Sequence, residues 1–269
     1  MTGPQGMPLL AWIVLFSALG GIASAAFAVV FLWIPEPRAV RLVPHFVSFA
    51  TGALLGAALL ALLPEAIARA GPAGAHAIGV TLLTGLGVFF VIEKVVLWWH
   101  TEEGEAHGGH SHAGHSHGRD HASGVLVLVG DSLHNALDGV LIAAAFLTSV
   151  PLGVVTTLAV AAHEIPHRVG DFALLVHAGF SRSRAFLLNL ATGIASIGGA
   201  LAAYLGLSRA LGALPYALAI ASAGFLYIAV AGLIPGLHRR ADLRTGVIQV
   251  VLIGLGVALI ALAERLAGQ

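Results

Sequence analysis

The sequence predicts an all-α integral membrane protein, with eight transmembrane helices in a 3+2+3 inverted-repeat arrangement. Three observations lead there. The 269 residues are 58% apolar and only 10% charged, and the mean hydropathy of +0.94 lies far above that of soluble domains. Apolar stretches of near-constant length recur between Pro, Gly and charged residues. Finally, A-L-L-P-E-A at 61–66 is echoed by G-L-I-P-G-L at 232–237, as equivalent helices of an inverted repeat would be.

The first stretch, 8–34, begins near Met7 and is too long for a signal-peptide core. It lacks a basic leader and a convincing small-residue cleavage site, so it reads as a span. P-E-P at 35–37 ends it, and a second stretch, 42–68, runs to the G-P turn at 71–72. The third is 74–99. A hydrophilic connection at about 101–122 precedes the fourth, 123–148, and Pro151 opens the fifth, 152–177. Gly179 and Ser181 precede the sixth, 184–207; Pro215 starts the seventh, 214–235; and His238 to Arg240 separate it from the eighth, 244–264. At roughly 20 residues per span these fill the chain, giving one transmembrane domain over 1–269.

Alternate connections differ in charge. One side carries Arg38, Arg41, Arg119, Arg182, Arg184, Arg239, Arg240 and Arg244, the other Arg69, Arg209 and Arg265. By the positive-inside rule the first side is cytoplasmic and both termini lie outside. A small chain without cysteine or a targeting segment suits a bacterial inner membrane, with the termini periplasmic. Thirteen basic residues balance thirteen acidic ones, and no basic tract suggests a nucleic-acid partner.

Lack of cysteine excludes disulfides, thiolate metal sites and cysteine nucleophiles. Any metal must be held by His, Asp, Glu or Asn. The connection 101–122 holds His107, His110, His112, His115, His117 and His121 among Gly and Ser, a composition that predicts a disordered cytoplasmic loop with imidazoles for loose metal binding.

The fourth and fifth stretches are the polar ones. D-S-L-H-N-A-L-D-G and H-E-I-P-H-R-V-G-D place ionisable groups near the bilayer midplane, where each must be paired or ligated. At helical spacing His134 and Asp138 share a face, with Asp131 a turn earlier and Asn135 at its edge. His163, His167 and Asp171 line one face of the fifth, with Glu164 beside them. Facing each other, the two helices offer His134, Asp138, His163 and His167 as an N/O cage suited to a divalent transition metal such as Zn²⁺. Asn135 and Glu164 can complete a neighbouring position. Pro166 frees the Ala162 carbonyl beside this cage, a break that a helix lining a wet path tolerates. Glu93 and Lys94, and His45, His76, His177 and His238 near span ends, are expected to be structural or solvated.

H-E-x-x-H also marks zinc proteases, and the chain has the L-D-G from which intramembrane members take a further ligand. Here L-D-G at 137–139 precedes H-E-I-P-H rather than following it, and His134 would close the coordination position that water needs. The chain is therefore not expected to be an enzyme.

H-N-A-L-D-G at 134–139, H-E-I-P-H at 163–167 and G-D at 170–171 closely resemble the paired signatures of the ZIP family of metal-ion transporters. The resemblance is strongest to the branch with a histidine-rich loop between spans three and four. F-A-T-G at 49–52, L-L-P-E-A at 62–66 and F-F-V-I-E-K at 89–94 resemble that family's second and third spans. The resemblance implies transport of Zn²⁺, or of Cd²⁺, Fe²⁺ or Mn²⁺, toward the cytoplasm by alternating access. His134, Asp138, His163 and His167 would form the primary site. Asn135 and Glu164 would form an adjoining one with the shared Asp138 and His167, and Asn189 is a further candidate. Release would pass Asp131, Asp171 and His177 to the loop histidines. Arg168 stands where that branch usually has Glu, and its fixed charge would substitute for a second cation by pairing Glu164 or Asp171. Ala61, Gly232 and Gly236 likewise replace more polar residues on the expected path. Small residues in G-A-L-L-G-A-A and A-S-I-G-G-A-L-A-A permit close packing within the bundle or across a homodimer.

Overall fold

The computed structural model describes residues 8–26, 36–105, 116–238 and 242–267. Among them, every regular element is helical. Helix α1 (Leu9–Ala18) continues through a π-helical turn, Leu19–Ala23. Helix α2 (Glu36–Gly56) passes through a second π turn, Ala57–Leu62, into α3 (Leu63–Glu105). Then come α4 (Ser116–Thr148), α5 (Val150–His177), α6 (Arg182–Thr192) and α7 (Ile194–Leu207). After a short 3₁₀ turn, α8 (Leu214–Tyr227), a third π turn (Ile228–Leu233) and α9 (Ile234–Leu237) follow one another, and α10 (Leu243–Ala267) ends the fold.

Among the described residues, five stretches are long and apolar enough to cross a bilayer: Leu9–Ala26, Leu42–Val95, Arg182–Leu207, Leu211–Leu237 and Leu243–Leu266. The second, at 54 residues, would be about 80 Å long if straight, far beyond a hydrocarbon core of ~30 Å. It does not run straight. Gly71 adopts φ 68°, which only glycine takes without strain, and Pro72 cannot continue the ladder behind it. The G-P turn read in the sequence is this break.

Local signals set the other boundaries. The Ser149 hydroxyl accepts the Leu152 N–H to start α5 with Pro151 in its first turn, and Gly179, at φ 88°, closes that helix. The Ser181 hydroxyl accepts the Arg184 N–H to start α6. At the expected loop, α3 runs on to Glu105 and α4 begins at Ser116, so both helices extend past their expected ends. His107, His110, His112 and His115 lie outside the described residues.

Packing relies on missing side chains. A Cβ on Gly139 of α4 would fall 1.8 Å from the Ser196 carbonyl oxygen of α7, and one on Gly199 would fall 1.9 Å from that of Ala136. Gly52 of α2 and Gly256 of α10 meet in the same way against the Ile253 and Phe49 carbonyls. Both small-residue motifs are thus used inside the bundle. The side of α10 turned away from it, with Leu243, Val247, Val250, Leu255 and Leu262, is exposed and apolar, as a lipid-facing surface should be. Lys94 rests over the Phe90 ring at 5.7 Å, and Glu93 accepts a hydrogen bond from the Tyr227 hydroxyl.

Adding a methyl at the α4–α7 contact forces backbones apart, a change worth about 1–3 kcal/mol in well-packed interiors. Gly139→Ala and Gly199→Ala are expected to lower the thermal midpoint in detergent. Gly198→Ala, where a Cβ meets nothing within 4 Å, leaves it unchanged.

Candidate metal centre

Helices α4 and α5 pack side by side and bring their polar faces together. The His134 and His163 Nε2 atoms lie 3.2 Å apart. His134 Nε2 is 3.3 Å from Glu164 Oε1 and 3.9 Å from Asp138 Oδ2; His163 Nε2 is 3.5 Å from Asp138 Oδ2 and 3.7 Å from Glu164 Oε1. A tetrahedral zinc ion with bonds of 2.0–2.1 Å needs its donors ~3.3 Å apart. The five separations run from 3.2 to 3.9 Å, and all four atoms lie within 4.8 Å of one another.

Two further features fit a cation. Asp138 Oδ2 and Glu164 Oε1 are buried acceptors without a hydrogen bond, a costly condition that a metal ion relieves. The His163 Nδ1, 3.2 Å from the Ala159 carbonyl, can donate to it, which turns the Nε2 lone pair toward the group. His163 is buried, with its ring edge toward Phe225, whereas His134 is partly open.

His167 does not stand in this group. Its Nδ1 is 2.9 Å from Asp171 Oδ2 and 3.8 Å from Asp131 Oδ1, forming a second set of possible ligands: Asp131, His167 and Asp171. Its ring stacks on His134, with centroids 5.2 Å apart and planes 22° apart, so the two sets adjoin. The His167 side chain is 44% exposed and marks the open end.

Between the sets lies Arg168, fully buried. Its Nε is 2.9 Å from Glu164 Oε2, and its Nη1 is 2.7 Å from Asp131 Oδ2. Nη1 also donates to the Asn189 carbonyl and side-chain oxygens, at 2.9 and 3.0 Å, and to the Thr192 hydroxyl. Nη2 donates to Asn135 Oδ1 at 2.5 Å. Asn189 returns a bond from its Nδ2 to the Arg168 carbonyl at 3.0 Å. Asn135 and Asn189 therefore hold the guanidinium, and Arg168 pairs with Glu164 and Asp131 rather than Asp171.

Thr192 was not singled out in the sequence. Its only signal is its place three residues after Asn189, which puts both on the face of α6 turned to Arg168. His117, His121 and His177 are described by backbone alone.

The sequence profile described as the ZIP zinc transporter family matches residues 115–264, a stretch that includes both polar helices. The chain is 34% identical to the zinc transporter ZIP13 of Pongo abelii over 81% of its own length and 66% of the relative's. It is 31% identical to the zinc transporter SLC39A7 of Rattus norvegicus over 95% and 72% of the two lengths. It is 41% identical to the zinc transporter ZIP4 of Mus musculus over 44% of this chain and 18% of that one.

Removing one of four convergent donors should weaken zinc binding at least as much as losing an outer-shell partner, which costs up to ~100-fold. Calorimetry of the purified chain is expected to show a loss of that order for His163→Ala and Asp138→Asn, and none for the exposed His76→Ala.

Proposed function

The chain belongs to the ZIP zinc transporter family, and we propose that it carries divalent transition-metal ions, zinc foremost, across a membrane toward the cytoplasm by alternating access. The family is one of transporters, not enzymes. The observation that carries the reading is the four-donor group of His134, Asp138, His163 and Glu164, built by two adjacent helices and bounded by an exposed imidazole. All four donors are protein atoms. A catalytic zinc keeps a position open for water, so the arrangement favours holding and passing an ion over hydrolysis.

An eight-span inverted repeat is supported by three features. The 54-residue stretch breaks at Gly71 into two lengths that can each cross. With α4 and α5 counted, the stretches make eight. The π turns Ala57–Leu62 and Ile228–Leu233 run into the two echoed segments, each ending two residues before a proline, Pro64 and Pro235. In a 3+2+3 repeat the second span exchanges with the seventh and the third with the eighth. Packing of α2 on α10 and of α3 on α8 are then the same contact seen twice.

Direction rests on the arginine count, which puts the His-rich loop on the cytoplasmic side as a receiver of released ions. The relatives named above are animal proteins and lend no support to a bacterial inner membrane. His and carboxylate donors admit Cd²⁺, Fe²⁺ and Mn²⁺ as well, and the two imidazoles favour zinc among them.

Imidazoles bind metal only when deprotonated, so protons compete with the ion. Acidification therefore weakens binding of the ion. Uptake into proteoliposomes loaded with a zinc-sensitive dye is expected to collapse in His163→Ala and to fall as the outer solution is acidified from neutrality. Absence of flux, together with Glu164-dependent cleavage of a membrane peptide, would refute transport.

A further inference from the structure

We infer that Arg168 is a permanent internal cation that limits the core to a single divalent ion, held in alternation by the His134–Asp138–His163–Glu164 group and the Asp131–His167–Asp171 group. The inference rests on the metal-path reading above. The groups follow each other along both helices at one-turn spacing, His134 after Asp131 on α4 and His167 after His163 on α5, so their centres are about 5 Å apart.

The guanidinium takes one carboxylate oxygen from each group, Glu164 Oε2 and Asp131 Oδ2; Glu164 Oε1 faces the histidines of its own group, and Asp131 Oδ1, which accepts from Asn135 Nδ2 at 2.9 Å, lies 3.8 Å from His167 Nδ1. An ion in either group therefore has the same fixed positive charge as its neighbour. Among the described residues the two groups contain four carboxylates, Asp131, Asp138, Glu164 and Asp171. Their charge would balance two divalent ions. With Arg168 present, a second divalent ion leaves the buried site with excess positive charge next to a guanidinium that cannot lose its proton.

The guanidinium also cannot step aside. Asn135 holds it from α4, Asn189 and Thr192 from α6, and Glu164 from its own helix. The His167 ring, stacked on His134 of the first group and partly exposed, belongs to the second group where the two adjoin. An ion leaving the first group meets it next, and the first group can take another ion only after the second has released its own.

The test counts zinc on the purified full chain by mass spectrometry, after passage through free histidine to strip ions held loosely by the loop. The native chain is expected to retain one ion and Arg168→Gln two, the second being lost again in Arg168→Gln/Asp171→Asn. A folded Arg168→Gln chain that still retains one ion overturns the inference. So does a native chain that retains two, one lost with His163→Ala and the other with Asp171→Asn, a result that needs no Arg168 variant. An ion that survives His163→Ala/Asp171→Asn lies elsewhere, and in that case the metal-path reading itself fails, and this inference with it.

Discussion

A guanidinium buried in the middle of a membrane domain has to be neutralised, and the architecture around α5 is organised by that requirement. Arg168 cannot shed its charge, and an unpaired ion at that depth costs several kcal/mol. Its partners come from three helices: Asp131 and Asn135 on α4, Glu164 on α5, and Asn189 and Thr192 on α6. Together they fix the rotation of α4 against α5. That rotation is what points His134, Asp138 and His163 at one another.

The glycine contacts serve the same end from the other side. Because Gly139 and Gly199 let α4 and α7 touch backbone to backbone, α4 is held where its polar face meets α5 with no room for slack. Donor atoms that are to share one zinc ion must lie ~3.3 Å apart, which demands that tolerance. The Ala159 carbonyl orients His163, and Pro166 lies between His163 and His167 within α5, where it leaves the Ala162 carbonyl without its helical donor.

Much of this was legible in the sequence because the residues concerned have few physical alternatives. Asp131, His134 and Asp138 at spacings of three and four in an apolar helix admit one shared face, and Gly71-Pro72 admits only a break. The family signature is contiguous and specific. What periodicity does not supply is side-chain direction. Helical spacing places His163 and His167 on one face equally well, and whether the second joins the first or turns toward Asp171 depends on rotamer and on Arg168, which competes for Glu164 and Asp131. By resemblance Glu164 is either a donor to an adjoining ion or a partner of Arg168. Its two oxygens allow both roles, one facing Arg168 and the other the histidines. Thr192 carried no signal beyond register, and the extension of α3 and α4 into the histidine-rich connection runs against composition.

The central claim is that a metal ion in the core is held by two imidazoles and two carboxylates. X-ray absorption at the zinc edge, on the chain loaded with one equivalent and stripped with free histidine, tests it directly. The geometry predicts a four-coordinate shell of two imidazole nitrogens and two carboxylate oxygens at ~2.0–2.1 Å. A shell of three or four imidazoles would contradict it and place the ion on His167 or on the loop.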